Sequence, residues 1–218
     1  MSNSSLVDYT KLSPNCSKPR SGKISKITIH HMAGNLTVEE CGEIFSGTRQ
    51  ASANYGIGTD GRVGLYVDES NRAWTSSSKE NDNVAVTIEV ANSKAEDPWP
   101  VSDEAYNKLI ELCVDICKRN GIEKLNYTGD KSGNLTMHKW FAATACPGPY
   151  LEARFQDIAD AVNAQLEGGN EPSSWAKEAC NIAVEKGIIK GDENGNFDWQ
   201  GNITRESLMV ILHRLGLM

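Results

Sequence analysis

The run Val84-Ala85-Val86-Thr87-Ile88-Glu89-Val90 constrains this chain more than any other segment. It is β-branched and mostly apolar, the composition of a central strand rather than a half-solvated one. A central strand needs neighbours along its edges and covering layers on its faces. Candidates for both surround it. Lys26-Ile27-Thr28-Ile29-His30-His31 is a short alternating strand, and Leu135-Thr136-Met137-His138 reads as the end of another. Between Ser52 and Asp68, Tyr55-Gly56-Ile57-Gly58 and Val63-Gly64-Leu65-Tyr66-Val67 flank an Asp60-Gly61 turn signal and predict a hairpin. Thr37-Val38-Glu39-Glu40 is a capping box that opens a helix to about Phe45. Ser102 opens the clearest helix: Ala105, Leu109, Leu112, Cys113, Ile116 and Cys117 share one face, and Gly121 stops it. Leu151, Phe155, Ile158, Ala159, Val162 and Leu166 mark a second amphipathic helix. Strands alternating with helices predict the α/β class, a mixed central sheet flanked by helices.

Residues 1–23 are polar, with Pro14 and Pro19, and read as an extended arm. Residues 167–174, Glu-Gly-Gly-Asn-Glu-Pro-Ser-Ser, have the composition of a linker. It separates residues 1–166 from a small all-helical unit at 175–218. There Trp175, Ala179, Ile182 and Ala183 share a helical face, Gly191 to Phe197 form a turn, and Thr204 caps a last helix with Leu208, Ile211, Leu212 and Leu215.

The 218 residues carry a formal net charge of −7, from 22 basic and 29 acidic side chains, which argues against a nucleic-acid partner. No apolar run approaches the ~20 residues of a membrane span. Met1 to Ser5 lack the basic start and apolar stretch of a secretory signal. The expectation is synthesis in the cytoplasm and, for work outside it, release by another route. The six cysteines show no CxxC pair and no dense spacing, so they read as thiols, with Cys113 and Cys117 as small buried hydrophobes.

Three residues suit a metal. His30 ends an apolar strand, His138 ends another, and Cys146 follows shortly before Pro147-Gly148. Imidazole and thiolate suit zinc, and two histidines with one cysteine leave a fourth position open, as in catalytic sites. His30 and His31 point to opposite faces of their strand, and spacing alone does not choose between them. Glu89 sits on a strand too apolar to bury a carboxylate without a reason. Beside a metal it can take a proton from bound water. Without a metal, Cys146 and His138 also fit the nucleophile and base of a cysteine peptidase, a reading that leaves His30 and Glu89 unused.

Residues 20–165 resemble the zinc-dependent N-acetylmuramoyl-L-alanine amidases of the type 2 family, which share a fold with peptidoglycan recognition proteins and phage amidases. The segments that carry the resemblance are Ile27 to Gly34, Asn54-Tyr55-Gly56, Thr87-Ile88-Glu89 and His138 to Gly148. With the arm before the first strand, the set is most similar to endolysins of phages and prophages of Gram-positive bacteria, which would make a holin the release route. The resemblance implies Zn²⁺ held by His30, His138 and Cys146, with His31 behind or in the core. It implies Glu89 as the general base and Tyr55 and Thr144 as donors to the oxyanion. It makes Asn54, Trp74 and Trp140 substrate contacts. Many relatives carry histidine directly after the tryptophan matching Trp74, whereas this chain has Thr75. The implied reaction is hydrolysis of the amide between N-acetylmuramic acid and L-alanine in peptidoglycan. Relatives that only bind peptidoglycan lack the zinc cysteine, which this chain keeps as Cys146.

The C-terminal unit resembles a single S-layer homology repeat at Trp175-Ala176-Lys177-Glu178-Ala179, Glu185 to Ile189, Gly195-Asn196-Phe197 and Ile203-Thr204-Arg205-Glu206. That resemblance implies binding of a cell-wall polymer, with Arg205 and Trp175 as contacts. A unit this small buries little surface. A face with Trp175, Ile182, Leu208 and Leu212 predicts self-association through residues 172–218, giving a homo-oligomer.

Overall fold

Residues 85–90 of the apolar run lie inside a sheet with a partner on each edge. The computed structural model describes residues 3–168, 172, 175–192, 195, 197, 199 and 203–217. In chain order these form β1 (Tyr9–Thr10), β2 (Cys16–Ser17), β3 (Lys26–His31), α1 (Val38–Ser46), β4 (Tyr55–Ile57), β5 (Val63–Leu65), β6 (Arg72–Ala73) and α2 (Lys79–Val84). They continue with β7 (Ala85–Val90), α3 (Asp103–Asn120), β8 (Leu135–Met137), a 3₁₀ turn (His138–Trp140), α4 (Pro149–Glu152), α5 (Phe155–Gly168), α6 (Lys177–Glu185) and α7 (Arg205–Arg214). The main sheet has six strands in the order β1-β5-β4-β7-β3-β8, and β2 pairs with β6 in a small second sheet. Only β4 and β5 run antiparallel within the main sheet, joined by the Asp60-Gly61 turn, so the sheet is mixed. Class and layer order agree with the sequence pattern.

Register decides which side chains share a face. His30 lies opposite Glu89, and Gly56 opposite Glu89 on the other edge of β7. Tyr55 lies opposite Ile88, and side chains one residue apart point to opposite faces. One face therefore carries His30 and Glu89, and the other carries Ile29, Tyr55 and Ile88. α3 packs against β4 and β7. Its Leu109, Leu112, Cys113 and Ile116 are wholly buried, each large side chain contributing about 1.5–3 kcal/mol. Ser102 caps α3 by accepting the Ala105 N–H, and Gly121 ends it at φ 68°. Cys113 and Cys117 are buried free thiols. On the opposite face α1 starts with the full Thr37–Glu40 capping box and buries Cys41 and Phe45 against Tyr66.

The structure departs from the sequence pattern in three places. Val84 closes a short helix, α2, and the strand starts at Ala85. Ser78 caps α2 by accepting the Asn81 N–H, and Glu80 and Asp82 lie in its first turn. The helix expected from Leu151 is two pieces, because Pro149 starts α4 and the chain turns at Ala153-Arg154 before α5. The arm contributes β1 and β2. It is pinned by the Ser4 N–H donating to the Tyr55 hydroxyl (2.9 Å) and by Asn3 Nδ2 donating to Asp68 Oδ1 (2.8 Å). Arg20, buried, donates to the carbonyls of Glu69, Asn71 and Ala85.

Glu69 anchors the α3 side. Its fully buried carboxylate accepts from Arg119 Nη2 and Nη1 (2.6 and 2.9 Å), the Tyr55 hydroxyl (2.6 Å) and Asn120 Nδ2 (3.2 Å). Arg119→Ala leaves that carboxylate buried without its cation. The expected loss is about 3 kcal/mol, or roughly 6–12 °C in Tm for a domain of this size, read by thermal denaturation. A fall of under about 2 °C would mean the pair contributes nothing net.

The chain divides into two compact units, residues 1–162 and 163–218. Residues 167 and 168 of the expected linker extend α5, and of the remainder only residue 172 is described. The described elements of the C-terminal unit past α5 are the helices α6 and α7, with Thr204 capping α7 and Arg214 Nη1 donating to the Ile188 carbonyl (3.1 Å). Trp175 precedes α6 and is 89% exposed, so it shares no packed helical face with Ile182. Of the turn expected at 191–197, residues 193, 194 and 196 lie outside the described residues.

Candidate metal centre and active-site cleft

Three parallel strands bring the chemistry together. β3 and β7 run in register, which sets His30 beside Glu89. On the other edge of β3, Met137 of β8 lies opposite Ile29, so His138 leaves the sheet level with His30. The two imidazole centroids are 4.7 Å apart. One layer down, on the same face, the Thr28 and Thr136 hydroxyls hydrogen-bond at 2.9 Å, and Asn81 Nδ2 donates to Thr28. After the 3₁₀ turn the chain folds back to bring in Cys146. The Lys139 N–H donates to the Cys146 carbonyl (3.0 Å), and the Cys146 N–H donates to Thr144 Oγ1 (3.2 Å). Gly148, at φ 84°, fits where a Cβ would meet His31 Nδ1 and Trp99 Cβ at 3.2 Å.

His30, His138 and Cys146 gather with one ligand atom each, all within 4.8 Å of one another. It is His30, not His31, that joins them; His31 packs edge-on against Trp99 at 5.2 Å. His30 Nδ1 stands 3.6 Å from Cys146 Sγ and 3.9 Å from Glu89 Oε1. His30 is 1% exposed, Cys146 7%, and the Glu89 side chain 14%. His30 Nε2, His138 Nε2 and Glu89 Oε2 are buried without a hydrogen-bond partner. Unpaired buried polar atoms are costly, and so many at one point mark a place built for something else to bind.

Burial, reinforced at His30 by the neighbouring imidazoles, holds His30 well below the usual histidine range and His138 below it. Both are thus neutral, the form that ligates a metal. Burial, and then the Glu89 charge, pushes the Cys146 thiol up, and burial raises Glu89 to about 8. With a neutral imidazole and a protonated carboxyl, the His30–Glu89 contact is no ion pair. A divalent cation among these atoms opposes both upward shifts, because it favours thiolate and carboxylate. Two imidazoles and a thiolate fit a transition metal with one position left open.

The site opens into a cleft of about 230 Å³. Glu89, His138 and Cys146 line it, with Thr144 exposed beside them. One wall is Trp74 and Thr75. The Trp74 indole N–H donates to Ser17 Oγ (3.0 Å), and the Thr75 hydroxyl donates to the Ser52 carbonyl (2.6 Å). Thr75 is therefore no replacement for a histidine donor to substrate. Asp82 holds this wall by accepting from the Thr75 and Ser76 N–H groups and the Ser76 hydroxyl.

Three expected site residues stand elsewhere. Tyr55 faces the α3 side, and its hydroxyl donates to Glu69, so it is no oxyanion donor. Asn54 is buried, with its side chain donating to the Val67 carbonyl and accepting the Thr87 N–H, which makes it a strand clamp rather than a substrate contact. Trp140 stacks on Tyr127 (6.0 Å, 16°) and does not line the cleft. An apolar wall of Met32, Leu36, Ile44 and Phe45 also lines the cleft, as does Arg49, and none of these is singled out as a site residue by the sequence pattern. The Ile44-Phe45 end of an amphipathic helix was a usable signal for the wall; Arg49, in a loop, gave none.

Comparison with known proteins identifies the family and the fold. The family model described as N-acetylmuramoyl-L-alanine amidase matches residues 20–149, and that of the S-layer homology domain matches residues 170–208. A curated relative from Lysinibacillus sphaericus, "Surface-layer 125 kDa protein", is 40% identical over 73 residues, 34% of this chain. The chain spans only 6% of that relative's length. Among solved structures, PlyL has a TM-score of 0.58 at 15% identity, covering 72% of this chain and 96% of that one. The Staphylococcus aureus hydrolase AmiA, in complex with its ligand, has a TM-score of 0.57 at 18% identity, covering 74% and 83%. Among the described residues no helix is long and apolar enough to cross a membrane. On the family match over most of its length, the chain belongs to the N-acetylmuramoyl-L-alanine amidase family and carries an S-layer homology segment at its C-terminal end.

Proposed function

We propose that this chain is a zinc-dependent peptidoglycan hydrolase that cuts the amide between N-acetylmuramic acid and L-alanine. The observation that carries the reading is the convergence of His30, His138 and Cys146 beside Glu89 on an open cleft. Zinc, when bound, supplies a Lewis acid that acidifies water and polarises the amide carbonyl. His30, His138 and Cys146 would hold it. Glu89, whose Oε2 is buried and unpartnered, takes the proton of the attacking water and returns it to the leaving amine. Thr144 Oγ1 accepts the Cys146 N–H, which leaves its O–H to donate to the developing oxyanion. Trp74 gives an apolar wall for the sugar or peptide. The cysteine-peptidase reading is disfavoured, because a buried thiol pushed up in pKa is a poor nucleophile.

In the same reading, residues 1–166 form the catalytic domain and 175–218 a wall-binding unit after a linker. Arg205 and Trp175 are exposed and free to meet an anionic polymer. The exposed Ile203, Val210 and Leu217 support association of this unit with further copies. An endolysin of phage or prophage type, released by a holin, is the matching biological setting; it rests on sequence resemblance alone.

Product chemistry tests the bond. Digested peptidoglycan should gain N-terminal alanine and keep intact glycan strands. New reducing sugar ends would identify a glycosidase, and a cut inside the stem peptide would restore the cysteine-peptidase reading.

A further inference from the structure

Arg49 lies in the loop between α1 and β4 and lines the cleft. Its backbone is tied down: its carbonyl accepts from Asn15 Nδ2 and from the Ala51 N–H, both at 2.8 Å. The same Asn15 nitrogen also donates to the Phe45 carbonyl (3.1 Å) and so staples the loop to the arm. Nearby cations are spoken for, since Lys11 pairs with Glu43, and Arg62 with Glu39 at 2.8 Å. Arg49 has no ion pair among the described residues. It is the one lysine or arginine among the described residues lining the cleft. Glu89 and Cys41 line the same cleft.

A lone guanidinium presents a planar fork of donors that matches a carboxylate. It stands beside an apolar wall, Leu36, Ile44 and Phe45, in a chain whose net charge is −7. An exposed fork without an ion pair in such a setting selects an anionic group and leaves neutral sugar hydroxyls and the scissile amide to other contacts. In a muramoyl peptide, the anionic groups near that amide are carboxylates of the peptide.

We propose that Arg49 is a specificity-determining residue that pairs with a free carboxylate of the stem peptide next to the cut amide. This rests on the amidase reading above.

The test uses the full-length, zinc-loaded protein and two synthetic muramoyl peptides that differ only at the second residue, carboxylate in one and carboxamide in the other. The parent should favour the carboxylate by about tenfold in kcat/KM, the size of a good charge-assisted contact. Arg49→Gln should collapse that ratio toward one, mainly through KM, and Arg49→Lys should restore part of it. A parent that cuts both equally overturns the proposal. So does an Arg49→Gln variant that slows both by the same factor, which would mean Arg49 acts through Glu89 or the loop. If the parent cuts neither peptide, the amidase reading fails separately, and calorimetric binding decides on Arg49. Discrimination by the parent and not by Arg49→Gln supports the pairing; equal binding overturns it.

Discussion

Cys146→Ala is expected to fold, to carry no stoichiometric metal and to lose turnover. His30→Ala and His138→Ala should behave alike, since each removes one of the three donors gathered there among the described residues. The parent should bind about one zinc per chain, read by mass spectrometry of the native protein, and chelation should abolish activity. Protons compete with the ion at this site. In the metal-free protein Glu89 holds its proton up to about 8, and the Cys146 thiol is pushed up as well. Metal affinity should therefore rise with pH, with proton release. The stability of the metal-free protein follows the same groups. Glu89, raised above its ordinary value of about 4.3, contributes stability that is complete below that value and lost as pH rises to about 8. His30, held well below its ordinary range, contributes stability present above about 6.5 and lost as pH falls. The Tm difference between loaded and chelated protein should widen from pH 6 to pH 8. A Cys146→Ala variant that keeps one tightly held zinc and turns over would overturn the assignment of the centre.

Much of this centre was legible before any coordinates, because strand parity and chemistry act locally. An apolar strand that ends in histidine, and another that carries a glutamate, announce groups that only a site can justify. What the local pattern withheld was register. Spacing could not separate His30 from His31; only the pairing of β3 with β7 and β8 aligns His30 with both Glu89 and His138. Tyr55 shows the same limit in reverse. It sits one residue from Gly56, the residue opposite Glu89, so parity turns it away. The partners that hold it there, Glu69 and Arg119, are distant in sequence. Trp140 was misplaced because the 3₁₀ turn after His138 swings it toward Tyr127. Arg49 carried no signal at all, since a loop arginine becomes informative only once the lining of the cleft is known. The capping residues Thr37, Ser102 and Thr204 were readable because caps are local chemistry.

Glu89→Gln separates catalysis from architecture at the same centre. The amide keeps the size of the carboxyl, and the three metal donors are untouched, so fold and zinc content should be retained. If Glu89 moves the proton, kcat should fall by a factor on the order of 10²–10⁴. The substitution also has a readout that no loss of fold would mimic. A neutral glutamine no longer titrates, so the chelated variant should lack the loss of stability that Glu89 imposes as pH rises toward about 8. The reverse pairing, normal pH-dependent stability with impaired turnover, would place the titrating group elsewhere. The geometry favours Glu89: its Oε1 stands 3.9 Å from His30 Nδ1, and its Oε2 is buried with no protein partner. A buried carboxyl oxygen left free beside a metal-ligand cluster is positioned to exchange a proton with whatever occupies the open coordination position. If kcat of Glu89→Gln stays within a few-fold of the parent, Glu89 is a structural neighbour of the metal. The proton must then pass through Thr144 or solvent.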